Sequence, residues 1–65
     1  MRDPNRINCI MNLLKEWWMI YPDLRFGQVM AALNFQMGEV TKTDPFYVED
    51  DKLEKILKEM LKNAN

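Results

Sequence analysis

The order of apolar and polar residues along the chain predicts three helices. In the first segment, apolar side chains recur at the spacing of three and four residues that aligns them on one helical face. These residues are Ile7, Ile10, Met11, Leu14, Trp17, Trp18 and Tyr21. Cys9, Leu13 and Ile20 widen the apolar arc to about 200 degrees. An apolar arc of this width can pack against two other helices, so we expect helix 1 to be the central element.

Two prolines mark the ends of helix 1. Asp3 followed by Pro4 is typical of a helix start, because the carboxylate accepts from free backbone N–H groups and proline has no N–H to leave unpaired. Pro22 disfavours helical geometry in the residue before it, so helix 1 should end at about Tyr21.

Helix 2 is predicted to follow directly, with Asp23 as its cap and Gly38 as its stop. Gly27 lies inside it and suggests a close approach of two backbones, since glycine costs about 1 kcal/mol against alanine in a helix. The residues that share its apolar face are Phe26, Val29, Met30, Leu33 and Met37.

The periodicity fails over residues 39–48, where residues 43–47 read as a turn that packs Phe46 and Tyr47 onto the core. Helix 3 begins at the acidic residues 49–51, which favour the positive end of the helix dipole. Its apolar face comprises Leu53, Ile56, Leu57, Met60 and Leu61. The pattern thus predicts an all-α fold, a compact three-helix domain with helix 1 central and an aromatic turn before helix 3.

Composition limits this fold to one domain, residues 1–65, with one core. The chain has 65 residues, 48% of them apolar, and a formal net charge of -1. No membrane partner is expected, because Lys15 and Glu16 interrupt the longest apolar stretch before residue 22. A single cysteine and no histidine exclude a disulfide or zinc staple within the chain and favour a cytoplasmic protein.

The side chains that catalysis usually needs are scarce, so we expect no enzyme, no catalytic residues and no cofactor. The chain has no histidine, two glycines and one cysteine. Cys9 is expected to be a small buried hydrophobe rather than a nucleophile. Asp44 together with residues 49–51 could hold a hard cation, but helix capping accounts for the same acids, and no metal site is predicted.

Four residues are candidates for binding a protein partner. Met19 lies among polar residues of helix 1, and Phe35 lies opposite the apolar stripe of helix 2. Trp18 and Ile20 join them to the extent that the core leaves them uncovered, although core packing is the favoured role of the tryptophans. A chain this small buries little surface, so we expect a symmetric homodimer. Two alternatives remain, a monomer that uses the same patch for its target and a domain in which helices 2 and 3 cover helix 1 completely.

Nucleic-acid binding is disfavoured because the chain lacks a stripe of basic residues that would attract the phosphates of a nucleic acid. Helices 1 and 2 have lengths suited to a helix-turn-helix, but the outer face of helix 2 offers one cation, Arg25. A small dimeric DNA-associated regulator is therefore the second hypothesis for function.

Three strings carry a resemblance to other proteins: RDPNRI at residues 2–7, YPDLRFGQ at residues 21–28 and DPFYVEDD at residues 44–51. In this order the chain resembles a group of small, largely uncharacterised proteins of Gram-positive bacteria and their phages. The resemblance brings no activity and no functional residues, but it implies a phage or prophage accessory context. The leading hypothesis is a non-enzymatic protein-interaction module that binds and modulates a protein target.

Overall fold

The computed structural model describes residues 2–64 and confirms the all-α prediction. Within these residues the chain forms helices α1 (Asn5–Ile20), α2 (Phe26–Thr41) and α3 (Asp50–Asn63). A short 3₁₀ turn, Pro45–Tyr47, precedes α3. The three-helix domain and the turn before the third helix are therefore as the sequence pattern predicts.

The start and end of α1 follow from the two prolines. A side-chain oxygen of Asp3 accepts a hydrogen bond from the Asn5 N–H at 2.9 Å, so it caps the helix as expected. At the other end, Tyr21 leaves helical geometry with φ -122° and ψ 66°, one residue before Pro22. The helix ends at Ile20 because the residue before a proline is sterically excluded from the α region.

The start of α2 differs from the prediction, since Asp23 lies in the preceding turn and is not its cap. That turn is closed by the Leu24 N–H, which donates to the Tyr21 carbonyl at 3.1 Å. Arg25, which has extended geometry, is the residue before the helix, and the Gln28 side chain accepts from its backbone N–H at 2.8 Å. A glutamine in the first turn thus reaches back to the N–H of the residue before the helix, which is one of the two bonds of a capping box, and Asp23 makes no cap.

The end of α2 also differs, because the helix continues through Gly38 to Thr41. Lys42 is the residue that adopts the left-handed conformation, with φ 57° and ψ 29°. Its N–H donates to the Gly38 carbonyl at 2.8 Å, which closes the helix. Gly27 was likewise misinterpreted: a Cβ atom added there would meet no other atom within 4 Å, so no backbone lies close.

The aromatic turn does not pack onto the core as predicted. Asp44 accepts from the Phe46 N–H at 2.9 Å and fixes the 3₁₀ turn. Phe46 and Tyr47 project outward from it, 84% and 71% exposed, with their rings edge to face. Val48 packs against the core instead. A single tight turn cannot direct three successive side chains inward, and here the position after the turn is the one that reaches the core.

The core is one cluster to which all three helices contribute. Among the described residues, Val29 of α2 and Leu57 of α3 are wholly buried. The remaining buried members are Ile10, Leu14, Leu33, Met37 and Ile56. In α3 the adjacent residues Ile56 and Leu57 are both buried, and their side chains point about 100 degrees apart, which lets this helix contact both neighbours.

The position of helix 1 differs from the expected central one. The closest backbone approaches join α1 to α3 and α2 to α3, so α3 occupies the centre. Arg6 pairs with Asp50, and Arg2 pairs with Glu49 at 3.0 Å, so α1 and α3 begin side by side. Ile20 and Leu61, near their other ends, line one hollow, so the two helices run in the same direction. The outer flank of α1 remains uncovered as a result.

The core assignment predicts a large loss of stability for Leu57→Ala. Removing this wholly buried side chain should lower the free energy of unfolding by about 2 to 5 kcal/mol, because a cavity is left in a small core. Urea denaturation measures the change. Lys58→Ala, at an exposed neighbouring position, is the matched control and should alter it by less than about 0.5 kcal/mol. Equal small losses would contradict the core assignment.

The course of α2 predicts that Gly38→Ala stabilises the protein. Gly38 lies within the helix, its φ is not positive, and a Cβ atom would meet nothing within 4 Å. The substitution should raise the free energy of unfolding by about 0.5 to 1 kcal/mol, since alanine loses less backbone entropy. Thermal denaturation followed by circular dichroism tests this. A loss of stability would show that Gly38 needs the conformational freedom of a helix stop.

Candidate partner-binding surfaces

The four predicted partner-binding residues do not form one patch. Met19 and Phe35 are 69% and 62% exposed, and Ile20 is exposed as well, whereas Trp18 is half-buried. Met19 lines a hollow beside α1, and Phe35 lines a different one between the helices. Sequence reasoning found exposed apolar side chains, but it did not find which of them lie together.

The first surface is an apolar face on the outer flank of α1. We define it by Met11, Trp18, Met19, Pro22 and Phe26, which line a hollow of about 440 Å³. Leu14 lies in its floor, and Lys15 is the one charged residue in its lining. Met11 and Phe26 are more than half exposed, although the sequence pattern assigned both to core stripes.

Trp18 holds this apolar face in place. Its indole N–H donates to the carbonyl oxygen of Leu24 at 2.9 Å, which ties α1 to the turn before α2. Its ring packs against that of Phe26, with centroids 5.7 Å apart. Trp18 therefore has a structural role as well as an exposed edge, and the expectation that it packs at the core agrees with its position there.

The second surface is a groove that all three helices form, here called the three-helix groove. Its apolar part comprises Trp17, Tyr21, Phe35, Val40 and Met60, and its volume is about 400 Å³. The rings of Trp17 and Tyr21 lie 4.9 Å apart and make its aromatic end. Because its walls come from α1, α2 and α3, the groove exists only in the folded domain.

Charged side chains of α3 edge the three-helix groove. Lys52 and Lys55 line it together with Glu59, and all three are exposed to solvent. On its α3 side the groove therefore offers two cations and one carboxylate beside its apolar lining, a slightly positive edge that favours an acidic group on a ligand. The apolar face has no comparable set of charges.

Ile20 belongs to neither surface. It lines a shallow hollow with Leu61 and with polar side chains of α1, including Asn12 and Glu16. Met19 also touches this hollow, so Ile20 lies next to the apolar face without being part of its lining.

The other residues that the sequence analysis considered for chemistry have structural or exposed positions. Cys9 is exposed rather than buried, because the flank of α1 that carries it has no neighbour. The acids before and at the start of α3 pair with arginines: Glu49 with Arg2 and Asp50 with Arg6. These ion pairs connect residues more than forty positions apart, so no local sequence signal could reveal them. Within residues 2–64, no group of three or more acidic or cysteine side chains is arranged to hold a metal ion.

Comparison of the chain with protein-family models, with curated proteins and with solved structures finds no match. Across the described residues, no helix combines the length and the apolar character that crossing a membrane requires.

The double role of Trp18 predicts different outcomes for two neighbouring substitutions. Trp18→Phe should lower the free energy of unfolding by about 1 kcal/mol or more, since it leaves the half-buried Leu24 carbonyl without its donor. Met19→Ser, at a mostly exposed position next to it, should change stability by less than about 0.5 kcal/mol. Urea denaturation of both variants measures the difference. If Trp18→Phe left stability unchanged, the hydrogen bond from the Trp18 indole to Leu24 would have no structural role.

Proposed function

We propose that this domain is a non-enzymatic protein-interaction module whose three-helix groove binds an apolar segment of a protein target. The observation that carries the proposal is the lining of the groove, in which the aromatic side chains of Trp17, Tyr21 and Phe35 lie together with two lysines and one glutamate of α3. Protein interfaces commonly have this make-up, with aromatic side chains at the centre and polar residues around them.

The position of Phe35 supports this use of the groove. Phe35 is 62% exposed because it lies on the side of α2 opposite the buried Val29 and Leu33. Exposed aromatic surface is unfavourable in water, and covering it with a partner contributes about 25 cal/mol of binding free energy for each square ångström buried. Phe35 is therefore the residue from which we expect the largest contribution to binding.

The charges at the edge indicate what the target segment carries. Lys52 and Lys55 lie one turn apart on α3 and both line the groove, whereas Glu59 is the single acid among its lining residues. An acidic group beside the apolar segment of the target would meet these lysines, which favours association and orients the partner.

The non-enzymatic part of the proposal rests on the side chains available. The chain has no histidine, and the exposed Cys9 is not among the residues that line the three-helix groove. The charged groups at the groove are two solvated lysines and one glutamate, which suit recognition better than proton transfer. The biological context that we propose, an accessory protein of a phage or prophage with a bacterial target, rests on the three resembling strings.

The proposal predicts that Phe35→Ser abolishes capture of a target. The immobilised full chain should retain specific proteins from a lysate of a Gram-positive bacterium, and Phe35→Ser should retain them at least about tenfold less, as loss of a central aromatic contact does. Phe46→Ser is the matched control, because Phe46 is even more exposed but lies on the turn before α3. Quantitative mass spectrometry of the retained proteins is the measurement.

Two results would contradict this assignment. Equal retention by wild type and Phe35→Ser would show that the three-helix groove is not the binding site. If the chain captures no protein but binds random duplex DNA, with an affinity that falls steeply between low and moderate salt, the second hypothesis, a DNA-associated regulator, would be supported instead.

A further inference from the structure

The accessible surface of the chain is larger than that of a typical monomer of its mass. Folded monomers follow a scaling law that gives about 4,400 Å² for a chain of this size. This 7.8 kDa chain exposes 5065 Å². The excess, about 700 Å², is close to the roughly 800 Å² that each partner contributes to a protein interface of standard size.

Much of the uncovered apolar area lies along the outer flank of α1. Met11, Met19 and Phe26 of the apolar face are 52%, 69% and 57% exposed. Ile7, one helical turn before Met11, is 52% exposed and extends the same flank toward the N-terminal end. The close backbone approaches of α1 are to α3, and the rings of Trp18 and Phe26 join α1 to the start of α2, while the residues of this flank stay exposed.

The chemistry of the apolar face differs from that of the three-helix groove. Lys15 is the one charged side chain in its lining, and its long stem can lie along apolar surface while the ammonium group stays in water. Interfaces between identical subunits are more apolar and poorer in charge than transient ones. The two methionines add unbranched side chains that adjust to the surface of a partner.

We infer that a second copy of this chain packs on the apolar face, with α1 of the two copies antiparallel about a two-fold axis. The excess area of the whole chain is of the size that one partner contributes to such an interface, and the exposed Ile7, Met11, Met19 and Phe26 of this flank supply part of it. A two-fold interface must be self-complementary, so the two ends of the patch must fit each other. Here the exposed flank runs from Ile7 and Met11 in the N-terminal half of α1 to Trp18, Pro22 and Phe26 at its C-terminal end, and it is apolar along this whole length except for Lys15.

The antiparallel arrangement places the N-terminal end of each patch against the C-terminal end of the patch on the other copy. A helix of 16 residues is about 24 Å long, enough to carry such a patch. The three-helix groove takes no part in this contact and remains open in the dimer. The dimer thus goes beyond the proposed function, because it assigns a different occupant to a different surface.

Sedimentation equilibrium of the purified full chain tests this inference, from about 1 μM to about 1 mM, the range in which modest interfaces dissociate. A reducing agent keeps the exposed Cys9 from forming a disulfide-linked pair. The wild-type mass should rise from that of one chain to that of two. Met19→Lys should raise the dimer dissociation constant at least about tenfold, because it puts a charge at the interface. Phe35→Lys, equally exposed but in the three-helix groove, should leave the constant unchanged.

Thermal denaturation at several protein concentrations gives a second measurement. The Tm of the wild type should rise with concentration, whereas the Tm of Met19→Lys should not, since only the dimer links folding to mass action. Met11→Lys repeats the test at the other end of the patch, with circular dichroism to verify helix content. A wild type that stays monomeric at every concentration with a constant Tm overturns the inference. A dimer that is weakened by Phe35→Lys but unaffected by Met19→Lys and Met11→Lys also overturns it. Because no lysate is used, these outcomes are independent of target capture.

Discussion

Burial of Val29 and Leu57 in one apolar cluster is the interaction on which the rest of the structure depends. Each has no exposed surface, and the cluster that surrounds them takes side chains from all three helices. Without a disulfide, burial of apolar area supplies the main favourable free energy. The centre of the fold is therefore α3, whose regular stripe meets both neighbours, and α1 packs against it with its N-terminal end fixed by the Arg6–Asp50 ion pair.

Three helices of this length cannot cover all the apolar side chains that they carry. The remainder divides into two surfaces of different chemistry. The apolar face along α1 is almost free of charge, whereas the three-helix groove has lysines and a glutamate at its edge. Because Trp17 and Trp18 are adjacent in a helix, their side chains point about 100 degrees apart, and each lines a different one of these surfaces. One helix thereby supports both proposed contacts.

Predictions of helix ends are correct where the physical cause lies within a few residues along the chain, and wrong where it depends on the rest of the fold. Asp3 caps α1, and Pro22 ends it, through atoms only one or two residues away. The prediction that Gly38 stops α2 is wrong because Lys42, a residue with a side chain, adopts the left-handed conformation that ends the helix, and the folded structure offsets the strain. Phe46 was wrongly placed in the core since periodicity does not reveal which way a short turn faces. For the binding surfaces, helical periodicity predicts that Met19 and Phe35 are exposed. That they lie on two different surfaces follows only from how the helices pack.

By itself the sequence determined the number and type of elements, and the side chains that form most of the core. The reason is that helical periodicity, proline geometry and capping act within about four residues. The tertiary structure alone decided that α3 lies at the centre, that α1 keeps an open flank, and that Arg2 and Arg6 meet the acids at the start of α3. These outcomes depend on which helix faces compete for the same neighbour, and no residue carries that information in its local pattern.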